Sequence, residues 1–194
     1  MGCESAAFIN RYGFCIECDK KMISLENFAD TEIYSAFKYE GPVKEALHRF
    51  KYLKKKYYGK KIALFLEHFL TKQQIDAFDI IIPVPLHWKK EFRRGFNQCA
   101  VVAFCLSKRL GKRYVSGVLV KSRNTASQTT MKNREGRENN VKGSFSVKKR
   151  HLLKDKRILL LDDVYTSGAT IREAKNTLLK NGAKKVNILV IAQA

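Results

Sequence analysis

Apolar positions in this chain follow two rhythms, short unbroken runs and stretches with helical spacing. The clearest run is Ile158, Leu159, Leu160 and Leu161. Four apolar residues without alternation predict a parallel strand buried on both faces. Ile171, Ala174, Leu178 and Leu179 follow at helical spacing, and Lys180, Asn181 and Gly182 read as a helix ending. Upstream, residues 79–85 (D-I-I-I-P-V-P) predict a second buried strand that ends in a proline-fixed turn. Val101, Val102, Leu106 and Leu110 then predict a helix, with Asn97 as its cap and Gly111 as its stop. Residues 33–39, 115–120 and 186–192 read as further strands. Between the first two strands, Val43, Ala46, Leu47, Phe50 and Leu53 form an amphipathic stripe that Pro42 opens. A second helix covers 62–70, with Phe65, Leu66 and Phe69 as its buried stripe. This alternation predicts an α/β fold, a mainly parallel sheet of about five strands flanked by helices.

Composition adds a partner class to that picture. A length of 194 residues suits one domain with a small appendage, divided here into 1–28 and 29–194. Lys and Arg number 38 against 18 acids, giving a net charge of +20. Such a surplus costs self-repulsion and points to an anionic partner, a nucleic acid more than a small polyphosphate. Lys51, Lys54, Lys55, Lys56 and Arg93 are the candidate contacts, with Tyr52, Tyr57 and Tyr58 interleaved for stacking on single-stranded bases. The bland alternative is a solvated basic surface. No apolar run has membrane-spanning length and no leader follows Met1, so the expectation is a cytoplasmic protein without membrane insertion.

Five cysteines, an odd number, fit a reducing compartment. Cys15 and Cys18 form a C-x-x-C pair, and Cys3 is a third candidate zinc ligand, although Ala6 stands where its own partner should be. Glu4, Asp19, His48 or water are the candidates for a fourth ligand. A metal-free hairpin is the other reading of this segment. Cys99 and Cys105 fall in a helical pattern and read as core.

The chemistry concentrates after residue 161. Asp162 and Asp163 stand where the strand would emerge, followed by Val164, Tyr165, Thr166, Ser167, Gly168, Ala169 and Thr170. A helix N-terminus with hydroxyl donors and a glycine favours a phosphate, and the paired carboxylates suit a sugar cis-diol. Together they describe a ribose 5-phosphate at the edge of an open sheet. A Walker B strand would need a G-x-x-x-x-G-K-[ST] loop, which the sequence lacks. A second anion site, suited to a pyrophosphate, is suggested by Pro83, Val84, Pro85, Leu86 and His87 with Arg94 before the next helix. Residues 121–144 hold almost no large apolar side chains and read as a disordered segment or a functional lid.

The stretch from Ile158 to Thr170 resembles the signature with which type I phosphoribosyltransferases bind phosphoribosyl pyrophosphate (PRPP). The pair P-V-P-L-H and R-R-G-F-N-Q, with R-N-T-A-S-Q at 123–128 and N-V-K-G-S-F at 140–145, resembles the ComF family, a competence-associated branch of that fold. The resemblance spans nearly the whole chain, and its weakest part is the incomplete cysteine set. It implies that Asp162 and Asp163 contact the ribose hydroxyls and that the loop through Thr170 cradles the 5′-phosphate. Arg123 and Arg134, in the lid, become the catalytic candidates that stabilise departing pyrophosphate. It also implies Mg²⁺ carried largely by the substrate, a role in DNA uptake during natural transformation, and single-stranded DNA and competence-machinery proteins as partners. Phosphoribosyl transfer from PRPP to a nitrogen acceptor in nucleotide synthesis or salvage is the alternative function.

Overall fold

A computed structural model describes residues 10–22, 32–53, 55–123 and 141–194. Its elements in chain order are α1 (Ile16–Lys20), β1 (Ile33–Lys38), α2 (Gly41–Tyr52), α3 (Tyr57–Phe69) and α4 (Lys72–Asp76). Then come β2 (Ile80–Pro83), α5 (Trp88–Arg94), α6 (Gln98–Leu110), β3 (Arg113–Tyr114), β4 (Leu119–Lys121) and β5 (Phe145–Val147). The chain closes with β6 (Arg157–Tyr165), α7 (Ala169–Lys180) and β7 (Lys185–Gln193).

Five strands form one sheet in the order β1-β7-β6-β2-β3, and every neighbouring pair is parallel. This is the predicted type I phosphoribosyltransferase-like architecture. The central strands are apolar on both faces because both faces are covered. Leu159 and Leu161 of β6 pack with Leu47, Phe50, Leu66, Val102 and Leu106, on the side of α2, α3 and α6. Ile158 and Leu160 turn to the opposite side and meet Ile171, Ala174 and Leu178 of α7 and Phe145 of β5. Gly59 brings α3 and α6 close together, since a Cβ there would stand 2.5 Å from Val101 Cγ1.

Three local expectations change. Residues 115–120 are not one strand: β3 ends at Tyr114, and β4 pairs antiparallel with β5 in a separate hairpin. Gly117, in the left-handed region at φ 71°, lies in the break between them. The helix expected from residue 62 starts earlier, at Tyr57. Leu53 was expected in the buried stripe but is 54% exposed, because α2 ends at Tyr52 and the chain leaves the sheet there.

At the N-terminal end, Cys15 precedes α1 and Cys18 lies within it. Both are buried with Phe14 against Ala46 of α2. Cys3, the third candidate ligand, lies outside the described residues. Among the described residues, no cluster of three ligating groups includes Cys15 or Cys18.

Candidate functional site

The cleft opens where the strand order reverses. From β2 the chain crosses α5 and α6 to β3 at one edge, while from β6 it crosses α7 to β7 on the other side. β2 and β6 are neighbours, so their following segments diverge, and open parallel sheets bind ligands at that point. Pairing between β2 and β6 stops at Pro83 opposite Leu161, with one further bond from the Val84 amide to the Leu161 carbonyl at 2.8 Å. Pairing of β6 with β7 continues to Tyr165. The two acids therefore lie inside β6, on a length paired only on its β7 side, and not past the strand end as the sequence suggested.

A cavity of about 210 Å³ fills this gap. One wall is contiguous in sequence: Asp162, Asp163, Val164, Tyr165, Thr166, Gly168, Thr170 and Ile171. Gly168 is the N-cap of α7 at φ 74°, and a Cβ there would stand 2.4 Å from the Tyr165 hydroxyl. Glycine is thus required twice, for its dihedral and for its lack of a side chain. Ser167 accepts a bond from the Ala169 amide at 3.4 Å, which shapes the turn before the helix. The N-terminal end of a twelve-residue helix borders the cavity, with the positive end of its dipole.

The facing wall is built from distant segments and is cationic. Lys51 comes from α2, Lys90 and Arg94 from α5, Gln98 from α6 and Lys121 from the end of β4. Lys51 Nζ lies 2.7 Å from Asp163 Oδ2, and the Gln98 side-chain amide donates to that oxygen at 2.6 Å. Arg94 donates to Gln98 in turn. Burial pushes Asp163 up, but the charge and hydrogen bond of Lys51, with help from Gln98 and Arg94, hold it below the usual carboxylate range. Asp162 behaves in the opposite way. Burial and the neighbouring Asp163 charge push it up to about 6, against a hydrogen bond from the Asp163 amide (2.9 Å) and the Cys99 thiol (3.4 Å). The pair is therefore split into an anchored carboxylate and one that takes up a proton just below neutrality. Burial and then the Lys90 charge bring Lys121 down to about 8.

Several predicted site residues have other duties. Of Pro83, Val84, Pro85, Leu86 and His87, only Leu86 lines the cavity. His87 is buried and caps α5, its Nδ1 accepting the Lys89 amide at 3.3 Å. Val84 is core, and its carbonyl accepts from the Asn97 side chain at 3.0 Å. Asn97 also caps α6 as predicted, accepting from the Cys99 and Ala100 amides. Lys51, expected to contact DNA, is paired with Asp163. Arg123 is exposed and is not among the cavity walls, while Arg134 and Lys54 lie outside the described residues. Lys55, Lys56 and Arg93 are exposed, as a nucleic-acid surface requires.

Lys90, Gln98, Cys99 and Lys121 were not read as functional. Gln98 carried a signal as the last residue of R-R-G-F-N-Q, and Lys90 one as part of the basic cluster before Gly95. Cys99, Asp162 and Asp163 form a group whose ligating atoms lie within 4.8 Å of one another. This set does not make a Mg²⁺ cage, because a thiol is a poor ligand for a hard cation and Asp163 is engaged by Lys51 and Gln98.

The sequence profile of the phosphoribosyl transferase domain family matches residues 97–194. The chain belongs to this family. Its relatives also place it with the ComF proteins, as the paired motifs implied. The DNA utilization protein YhgH of Escherichia coli O6:H1 is 32% identical over 158 residues, covering 77% of this chain and 66% of that protein. Competence protein F of Haemophilus influenzae is 27% identical over 161 residues, covering 80% and 70%. Competence protein ComFC of Bacillus subtilis is 29% identical over 151 residues, covering 76% of this chain and 58% of its own length. The chain thus spans roughly three fifths to seven tenths of these relatives. Among solved structures, the B. subtilis glutamine PRPP amidotransferase is similar over 70% of this chain and 25% of that one, at TM-score 0.43 and 23% identity. A purine phosphoribosyltransferase from Pyrococcus horikoshii aligns over 71% and 84%, at TM-score 0.42 and 18% identity. No helix among the described residues is long and apolar enough to cross a membrane.

Proposed function

We propose that the chain binds PRPP with Mg²⁺ in the β6–α7 cleft and handles single-stranded DNA during DNA uptake. The observation that carries this reading is the pairing of opposite chemistries across one cavity. Two carboxylates and a helix N-terminus stand on one side, and Lys51, Lys90, Arg94 and Lys121 on the other. A ribose diol hydrogen-bonds to Asp162 and Asp163, its 5′-phosphate sits on the turn from Thr166 to Thr170, and pyrophosphate meets the cations. Mg²⁺, held by substrate oxygens beside Asp162, neutralises pyrophosphate charge.

The DNA half of the reading is supported by the net charge of +20 and by aromatic rings left in solvent. Tyr52, Tyr57, Trp88 and Phe92 are between 53% and 88% exposed, among Lys55, Lys56, Lys89 and Arg93. Exposed rings among cations are what a single strand uses, bases stacking while the backbone tracks the charge. Relatives named for competence and DNA utilization agree with it. Competence-machinery proteins are the partners that follow.

The basic wall also favours a second reading, phosphoribosyl transfer to a nitrogen acceptor in nucleotide synthesis or salvage. There the bond from the anomeric carbon to pyrophosphate breaks as the acceptor nitrogen bonds to that carbon. Arg94, Lys90 and Lys121 stabilise the charge on the departing oxygens. Calorimetric titration of PRPP–Mg²⁺ tests the shared premise: saturable binding is expected, weakened at least tenfold by Asp162→Asn, and a flat titration rejects it. Steep salt dependence of oligonucleotide affinity tests the DNA half. Pyrophosphate release with an acceptor base separates enzyme from binding protein.

A further inference from the structure

A second cavity adjoins the first. Its volume is about 180 Å³, and its walls are Lys51, Tyr52, Lys90, Arg93 and Arg94. Lys51, Lys90 and Arg94 also line the acid cavity, so one row of cations separates the two spaces. No carboxylate is among the five. The Arg94 guanidinium lies 5.7 Å from the centre of the Tyr52 ring, and that ring is 58% exposed. Lys90 is brought below its ordinary range by burial and then by the charges of Arg94 and Arg93.

We propose that this outer cavity is a phosphodiester subsite for single-stranded DNA, and that a strand phosphate there and pyrophosphate in the acid cavity exclude one another by drawing on the same three cations. The proposal rests on the PRPP reading of the inner cavity. Two of the three shared cations are held in place: Lys51 by Asp163, Arg94 by Gln98 and Tyr52. Being fixed, they cannot swing outward for one ligand and inward for the other. Two anions on opposite sides of one partly buried cationic row also repel each other under weak screening. Arg93 and Tyr52 belong to the outer cavity alone. They therefore distinguish strand binding from sugar binding.

The test uses the full chain and a fluorescent oligo-dT, whose affinity is read by anisotropy at fixed ionic strength. Saturating PRPP–Mg²⁺ is expected to weaken oligo-dT about tenfold, with sodium sulfate of matched ionic strength having little effect. Oligo-dT is expected to weaken PRPP by the same factor in calorimetry, because the coupling is reciprocal. Arg93→Ala is expected to weaken oligo-dT about fivefold and leave PRPP affinity unchanged. If both ligands bind and neither alters the other, or PRPP tightens oligo-dT, the exclusion is wrong while the PRPP reading stands. A strand that Arg93→Ala holds as tightly as the parent overturns the outer subsite. If PRPP fails to bind at all, the reading of the inner cavity falls first and takes the exclusion with it.

Discussion

The two walls of the cleft are built in different ways. The acid wall runs from Asp162 to Ile171, a strand, a turn and the first residues of a helix, continuous in sequence. The cationic wall gathers Lys51, Lys90, Arg94, Gln98 and Lys121 from four separate elements. Local geometry fixes the first, through a glycine that tolerates both its dihedral and its neighbours. Only the packing of α2, α5, α6 and the β4–β5 hairpin around the sheet fixes the second. A wall made by one segment keeps its shape as long as that segment does, whereas an assembled wall depends on charge pairing to stay in register.

Removing the centre of that pairing should have the largest effect. Lys51→Met leaves Asp163 buried with Gln98 as its main support. Breaking one partner of a buried pair costs about 3 kcal/mol, read by urea unfolding at pH 7.5. Burial then pushes Asp163 upward, so the penalty should shrink as pH falls and the acid takes up a proton, and adding Asp163→Asn should recover most of the loss. A full penalty that persists in the double variant would show that Lys51 acts through packing.

Next is the glycine of the contiguous wall. Gly168→Ala should cost about 2 kcal/mol, from a strained positive φ together with the collision against Tyr165 and Arg172. The measurement is a melting curve, paired with PRPP calorimetry in which affinity falls by more than the stability change explains. Unchanged affinity would detach the turn from the phosphate.

The smallest effect concerns Lys121. Its folded value of about 8 lies below that of a free lysine, so in the empty site its charge is lost as pH rises through about 8. An anion bound to the charged form holds the proton, and affinity for pyrophosphate should therefore fall above pH 8, approaching tenfold per pH unit. Lys121→Arg should flatten that limb, since a guanidinium keeps its charge throughout. A slope that survives in the arginine variant would place the titrating group elsewhere.

The same contrast explains what could be read in advance. The sheet, the helix caps at Asn97 and Gly111, and the whole acid wall were legible because each is written within a few adjacent residues. Lys51 was not: it stands in a run of lysines where charge repeats at nearly every turn, and only the course of α2 turns this one inward. Lys121 looked like the first residue of a long polar loop, yet it closes β4 and faces the acids. The helical pattern around Cys99 marks it as core, but its contact with Asp162 joins residues 63 apart in sequence. Residues 115–120 read as a strand on Val115, Val118, Leu119 and Val120, but Ser116 and Gly117 interrupt that run and the break falls there.

Because β6 outruns β2, the cleft is a missing rung series between two strands and not a hollow carved from packed side chains. Its depth is counted in residues: four positions of β6 lie past the last pairing with β2, about 13 Å at the usual rise per residue. Lengthening β2 by a single paired position would seal part of the mouth, while reshuffling leucines beneath it would leave the opening intact. Ligand capacity and core stability can therefore drift separately in this chain, with Pro83 as the hinge on which the first of them turns.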